Sequence, residues 1–571
     1  MMIRRLFSLD CVRCASAGIA LAMLLTLPLS AAGHRFLQDD PIAREPDPAD
    51  ASHVQPFPIR LSWDLISSLF VKEGDLTRGR AQDVNTIDEV PDSSWFTNRI
   101  GSRSLTAADV ARGPNTTDGP VGRWTVVSGK SEGVRPGFTI KDAAEITWFV
   151  KFDAPGYPEQ ATGAEVVSTT LFWALGYDVA ETHVATIRRE DLVVGPNATI
   201  TVHGKKRPLT AGDIDRVLAQ VYRSEDRTYR AIASKALAGK PVGEFLYYGT
   251  RSDDPNDIVA HENRRELRAM GVFAAWIDRV DAKAGNTLDT LVAVDGKSVV
   301  HHHPLDFGST LGSGGVAPNE WWEGYEYLYA GKPLAKKLFG FGLPLESWRT
   351  INYPNLRGVG RIEADHFDPD AWRSRVPNAA YLRADANDKF WAARKLMGMT
   401  DAMITAAVRS GEYSDSAAED YLIRTLIQRR DAILRRYLPS VNPLVNLSLD
   451  DDGTLTFQNA AVSADLSVSP ASYRATWYRF DNVSDISVPI TTTVSREPVM
   501  NGPTGLPRDV GSFVRIDVDA TSADHPSWSA PVRGYFRRDA TGWTLVGLDR
   551  AGGNNEPNKL IAAIRDQGAK P

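Results

Sequence analysis

The sequence predicts an α+β protein that ends in a β-rich domain. Trp148-Phe149-Val150-Lys151-Phe152 alternates as a strand does, and residues 161–176 follow it with Val167, Leu171, Ala174 and Leu175 at helical spacing before Gly176. Composition then changes after Pro439 and Pro443. Short β-prone runs at 454–457, 475–480, 513–518, 532–536 and 543–548 alternate with Gly, Pro and Asp turns, the pattern of a β-sandwich-like domain. At 571 residues the chain exceeds a single core, so two or three domains are expected. Its 43% hydrophobic and 24% charged residues are ordinary for a soluble globular protein. A formal charge of −6 offers no general basic surface, so no nucleic-acid partner is expected.

From the N-terminus, Arg4 and Arg5 precede an apolar run from Ala15 to Leu29 and the small residues Ser30-Ala31-Ala32. This is the pattern of a signal peptide over residues 1–32, which predicts a secreted or periplasmic protein, with an uncleaved membrane anchor as the alternative. Cys11 and Cys14 both lie inside it, so their Cys-x-x-Cys spacing is not read as a redox or metal pair, and the mature chain would be held by packing alone. Residues 33–59 are acidic, Pro-rich and without periodicity, which predicts a solvated linker. An N-terminal extension over 60–118 follows. It contains a short helix near Leu61 to Val71 and the aromatics Trp95 and Phe96, read as packing residues that brace the next domain.

Residues 119–260 carry Gly129, Gly133 and Gly137, a glycine-containing hairpin whose amides suit close approach to phosphate. The period of two in the next strand sets Lys151 opposite Trp148, Val150 and Phe152, and Glu165 lies on the following helix. Residues 190–260 read as an insertion. Over 261–440, Leu267, Met270, Ala274 and Ile277 form one helical stripe leading to Asp281-Ala282-Lys283-Ala284-Gly285-Asn286, and then to Asp306-Phe307-Gly308. His301, His302 and His303 read as strand filling, since a transition-metal site would need ligands that are not identifiable. Gly308 to Gly315 reads as a mobile segment shaping the cleft or as a connector. Trp321, Trp322, Tyr325, Tyr327 and Tyr329 read as lid or core packing ahead of stacking on a sugar. In the helices from Asp388 to Leu438, Leu422, Leu426, Ile433 and Tyr437 share a face, and Arg424, Arg429, Arg430, Arg435 and Arg436 are placed on the solvent side. Residues 441–571 form the β-rich domain, where Asp450-Asp451-Asp452-Gly453 reads as a hairpin turn and not as a calcium loop.

Taken in order, the glycine turn, strand Lys151, helix Glu165, Asp281-x4-Asn286 and Asp306-Phe307-Gly308 resemble the protein-kinase-like superfamily over about residues 120 to 310. The likeness is to its atypical branches, the toxin-kinase-like, lipid-kinase-like and spore-coat-kinase-like proteins. Asp278-Arg279-Val280-Asp281 lacks the usual His-Arg-Asp, the interval from Lys151 to Asp281 is long, and no Ala-Pro-Glu element follows. The resemblance implies a bilobal fold, with residues 119–260 as the small lobe and 261–440 as the large lobe. It further implies that Lys151, oriented by Glu165, contacts the ATP phosphates, beneath a hairpin carrying Gly129, Gly133 and Gly137. Asp306 and Asn286 would hold Mg or Mn, and Asp281 would take or orient the proton of the attacking hydroxyl. Asp278 and Asp289 are reserve candidates for those carboxylate roles.

The expected function is an exported, ATP- and metal-dependent phosphotransferase acting on a hydroxyl of a protein, glycan or small molecule. Its C-terminal domain would contact an envelope protein or glycan. The rival is a pseudokinase-type binding or scaffold protein of the envelope. A carbohydrate-cleaving enzyme using Asp281 and Asp306 as a carboxylate pair is a third reading, disfavoured by the Lys151 and Glu165 pairing with phosphate chemistry.

Overall fold

The computed structural model describes residues 34–56, 61–70, 79–130, 135–202, 204–329 and 347–550. The leader with Cys11 and Cys14, Gly133 and Val71 lie outside the described residues.

A seven-stranded sheet forms the small lobe. Its strands are β1 (Trp124–Gly129), β2 (Gly137–Lys141), β3 (Thr147–Phe152), β4 (Thr182–Ile187), β5 (Leu192–Val202), β6 (Lys205–Pro208) and β7 (Tyr229–Lys235), in the order β4-β7-β3-β2-β1-β5-β6. Only β1 and β5 run parallel. Alternation works as expected on β3, where Trp148, Val150 and Phe152 enter the core with Val126, Phe138, Ile140 and Ala231, while Phe149 stays exposed. The predicted insertion supplies β5, β6, β7 and the helix Ala211–Leu218, whose Ile214 and Leu218 cover the same core.

Helix α1 (Gln160–Leu175) was expected to be amphipathic, yet it is buried on nearly every side. The N-terminal extension covers its outer face, and Gly176 closes it at φ 119°, where an added Cβ would sit 2.3 Å from the Phe96 ring. Glycine therefore serves both the left-handed cap and the ring contact. Trp95 and Phe96 are packing residues, as read from the sequence.

The large lobe contains α2 (Arg265–Ile277), the hairpin of β8 (Thr287–Val294) and β9 (Lys297–Pro304), and the helices α3 (Ala386–Met397), α4 (Asp401–Arg409) and α5 (Ser416–Tyr437). The stripe Leu267, Met270 and Ile277 enters one continuous core with Leu422, Leu426 and Ile433 of α5. The reading of Arg429 as a solvent residue is corrected. It is buried, donating to the carbonyls of Ala275 and Trp276 at 2.5 and 2.9 Å, and so satisfies C-terminal groups of α2 that have no partner within the helix. Arg424, Arg435 and Arg436 are exposed.

The solvated linker expected over 33–59 is also corrected. Residues 34–56 are strapped across the molecule: Phe36 docks on the C-terminal domain, Glu45 pairs with Arg264, the Ala51 N–H donates to Ser298, and Gln55 accepts from Arg251. Glu45 has a buried arginine partner, which offsets the cost of taking it out of water, while Asp40 and Asp50 accept from backbone N–H groups. The extension continues this pattern, with Asp83 and Asp88 meeting Arg265 at the start of α2.

The C-terminal region forms two sheets. One has three strands, β10 (Leu444–Leu449), β11 (Thr454–Asn459) and β12 (Val499–Asn501). The other has five, β13 (Ser472–Asp481), β14 (Ile486–Ser495), β15 (Phe513–Thr521), β16 (Val532–Arg538) and β17 (Trp543–Arg550), in the order β14-β13-β15-β16-β17. Leu447, Leu455 and Phe457 face Trp477, Ile516 and Phe536 across a sandwich-like interior. Gly453, at φ 86°, turns the β10–β11 hairpin as expected of Asp450 to Gly453. The region is less separate than predicted, because its interior is continuous with the large-lobe core through Tyr437, Leu438 and Val445.

Candidate active site

Lys151 leaves β3 on the cleft side and donates to Glu165 Oε1 at 2.9 Å and to Asp306 Oδ1 at 3.0 Å. The three residues come from strand, helix and turn, so the expected Lys151 and Glu165 pair forms and Asp306 joins it across the two lobes. The burial of α1 holds Glu165 in place: an added Cβ at Gly163 would strike the Tyr413 ring at 2.5 Å, and Ser168 bonds Thr310 at 2.7 Å. The helix has no room to swing outward.

Arg279 organises the turn that carries Asp306. It is buried, donates to the Leu305 carbonyl at 2.9 Å, and lies 4.8 Å from the Phe307 ring centroid. Phe307 in turn packs against Phe172 of α1 at 4.9 Å. Asp306 takes a left-handed φ of 54° at this turn, an unusual backbone state for a side chain with Cβ. Burial alone would raise its carboxyl pKa, but Lys151 and Arg135 beside it prevail and hold it well below the usual carboxylate range.

Asp281 and Asn286 also meet. Asn286 Nδ2 donates to the Asp281 carbonyl at 2.7 Å and to its Oδ2 at 3.0 Å, while the Leu305 N–H donates to the Asn286 carbonyl at 2.8 Å. The loop and the Asp-Phe-Gly turn are therefore stitched together. Burial acts to raise the Asp281 pKa, but Lys283 at 2.9 Å and Arg375 at 3.4 Å lower it below its ordinary value overall. An ionised carboxylate in this setting orients a hydroxyl more readily than it strips one.

The donor set fits a hard divalent cation. Asp306 Oδ1 accepts from Lys151 and Arg135, leaving Oδ2 without a hydrogen bond on a side chain that is 43% exposed. Asn286 spends its N–H groups on Asp281 and keeps its amide oxygen. Two oxygen ligands from neighbouring segments suit Mg or Mn. Among the described residues, no group of three or more His, Cys, Asp or Glu is placed to hold a metal ion.

Three residues had no role in the sequence reading. Arg135 is buried and its Nη2 donates to Glu165 Oε2 and, at 3.2 Å, to Asp306 Oδ1. Lys130 donates to the Arg135 carbonyl at 3.2 Å, and burial, reinforced by Lys151 and Arg135, pushes its ammonium down to about 8. Lys283 pairs with Asp281. Only Lys283 had a signal, its place two residues after Asp281; charges in a hairpin such as 129–137 ordinarily face water.

Gly129 and Gly137 lie in strands. An added Cβ would meet Ile200 at 2.8 Å in the first case and the Val150 carbonyl oxygen at 2.1 Å in the second, so both permit close sheet packing. Gly308 to Gly315 is packed and not loose, since a Cβ on Gly312 would meet the Arg361 backbone at 2.3 Å. The reserve carboxylates fall outside the cleft. Asp278 accepts from Trp372 at 2.9 Å and Asn319 at 3.2 Å. Asp289 bonds His302 at 2.7 Å and Arg251 at 3.2 Å, behind the hairpin. His302 stacks on Trp95 with ring centroids 3.4 Å apart, and His303 bonds Thr290 at 3.0 Å, so these two fill the strand as expected, while His301 is half-buried near Asp178. Trp321 is partly exposed beneath Arg361, while Tyr325 donates to Glu363 at 2.9 Å.

No family model matches the chain, and no curated protein matches it. Among solved structures, the proinflammatory kinase CtkA of Helicobacter pylori is 14% identical, with 57% of this chain and 99% of that chain covered and a TM-score of 0.31. A Golgi casein kinase is 12% identical, with 70% and 95% covered and a TM-score of 0.30. The Golgi casein kinase with Mn and ADP bound is 10% identical, with 59% and 77% covered and a TM-score of 0.28. In this chain Lys151, Glu165 and Asp306 are bonded between a sheet lobe and a helical lobe, with a β-rich region appended.

Proposed function

We propose that this protein is an ATP- and divalent-metal-dependent phosphotransferase that acts on a hydroxyl acceptor. The observation that carries the reading is the triad of Lys151 with Glu165 and Asp306, set beside the bonded pair Asp281 and Asn286. Lys151, positioned by Glu165, would neutralise phosphate charge. Asp306 and Asn286 would hold Mg or Mn, which supplies further charge neutralisation on the phosphates when bound. Asp281, kept ionised by Lys283 and Arg375, would align the acceptor hydroxyl and take its proton as the new phosphate ester forms. The reading extends to export through the N-terminal leader, and to contact of the C-terminal domain with an envelope protein or glycan. No described helix is long and apolar enough to cross a membrane.

A second reading, a nucleotide-binding pseudokinase, is favoured by the ion pairs both acids already make: Asp281 with Lys283 and Arg375, and Asp306 with Lys151 and Arg135. Thermal unfolding with ATP, with and without Mg or Mn, tests the first step, since a ligand stabilises the native state according to its concentration over Kd. The proposed enzyme shows a metal-dependent rise that Lys151→Ala abolishes, together with ATP turnover. A rise without turnover selects the pseudokinase, and no rise with either metal rejects nucleotide binding.

A further inference from the structure

The site holds more positive charge than the triad requires. Lys130, Arg135 and Lys151 converge on two carboxylates, Glu165 and Asp306, and Arg135 is the most deeply placed of the three cations. Its Nη1 is buried and makes no hydrogen bond, an arrangement that costs stability unless a ligand uses it. The space it occupies is made by Gly308, where an added Cβ would lie 2.2 to 2.7 Å from the guanidinium. Arg135 and Lys151 also share a single oxygen of Asp306, an oxygen that would otherwise be available to a cation.

Resting on the nucleotide reading above, we infer that Arg135 is a polyphosphate-binding residue, which turns from Asp306 to grip phosphate oxygens and lets the site bind a polyphosphate anion without divalent metal. A guanidinium suits this exchange, because its planar fork meets carboxylate and phosphate oxygens in the same geometry and stays charged throughout. Nη2 gives up Asp306 Oδ1 but keeps Glu165, while Nη1 gains an acceptor, so the orphaned nitrogen is satisfied when the anion enters. Glu165 remains bonded to Lys151 and keeps the helix in register. Asp306 Oδ1 then keeps Lys151 alone, so the movement that binds phosphate also removes one of the two cations held by the proposed metal ligand. Lys130, bonded to the Arg135 carbonyl, adds a second donor beside it.

Calorimetric titration with inorganic tripolyphosphate in EDTA, beside MgATP, tests this on the full chain. Wild type is expected to bind tripolyphosphate without metal, and Arg135→Gln to weaken that binding at least tenfold, with MgATP binding reduced less. Arg135→Lys should fall between them. Wild type that binds MgATP but not metal-free tripolyphosphate overturns the inference and leaves the proposed function standing. Wild type that binds neither ligand overturns the proposed function and this inference with it. Native-like thermal unfolding of Arg135→Gln with unchanged tripolyphosphate affinity assigns Arg135 a structural role and overturns the inference. Should Arg135→Gln fail to fold, Gly308→Ala displaces the guanidinium while keeping it in the chain. Weakened tripolyphosphate binding by that variant supports the inference, and unchanged binding overturns it.

Discussion

Replacing Phe36 by Ala tests whether the N-terminal segment is part of the folded body. Phe36 lies in a ring cluster with Tyr535 at 5.1 Å, Phe480 at 6.1 Å and Phe513 at 6.4 Å. Gly547 makes the slot for it, since an added Cβ there would be 2.4 Å from the ring. On either side, Arg35 pairs with Asp549 at 2.8 Å, and Asn482 bonds both backbone groups of Phe36 at 2.8 and 2.9 Å. Truncating a core Phe to Ala costs about 3–5 kcal/mol when the structure cannot relax. The ring cluster around Phe36 is small and can close part of the gap, so the expected drop is at the low end of that range, about 3 kcal/mol. Urea unfolding followed by tryptophan fluorescence measures that drop, and hydrogen exchange over residues 34–56 reports the strap itself. In wild type the amides of Phe36, Glu45 and Ala51 should be protected, and in Phe36→Ala the first of these should lose protection. A change below about 0.5 kcal/mol, the range of ordinary surface substitutions, with unprotected amides in wild type, would show a solvated tether and refute the packing argument.

Further outcomes follow from the cleft and its supports. Asp306→Asn should abolish the metal-dependent part of ATP stabilisation in thermal unfolding, while Asp281→Asn should retain it and lower turnover by roughly 10²–10⁴-fold; retained metal-dependent binding in Asp306→Asn would remove it from the metal role. Gly137→Ala drives a Cβ to 2.1 Å from the Val150 carbonyl oxygen beside Lys151, so a loss of at least about 1–3 kcal/mol in urea unfolding is expected together with weaker nucleotide binding. Burial pushes the Asp289 carboxyl up to about 7 from 3.8, against the pull of Arg251. The native state then keeps a proton that the unfolded chain has released, so this group makes stability fall as pH rises from about 4 to 7, by roughly 4 kcal/mol at most. Asp289→Asn should flatten that part of the pH–stability curve between about pH 4 and 7, and an unchanged slope would place the titration elsewhere.

Local pattern was enough for the face that Lys151 takes on its strand, because a period of two is set by the backbone of the strand itself. It was enough as well for the spacing of Asp281 and Asn286, for the Asp306 turn and for the alternating strands of the C-terminal sheets. Phe96 and Trp95 were legible as packing residues, though not that one would meet Gly176 and the other His302. Each of these features is defined within a few residues of chain.

Tertiary structure alone decided where the charges go. Arg135 sits in a hairpin that reads as solvent-exposed, and only the approach of Glu165 and Asp306, with a glycine at 308, turns it into a buried ion-paired group. Arg429 looked like one more cation on a helix surface until the end of another helix presented its carbonyls. The acidic stretch around Glu45 looked like a tether because its partner, Arg264, lies far along the chain. A charged residue is buried when a distant complement compensates its lost hydration, and periodicity carries no information about distant complements. The sequence thus determined the triad residues and the strand and helix that present them, while the fold determined which further charges join them, because burying a charge is a property of the assembled partners and not of the segment that bears it.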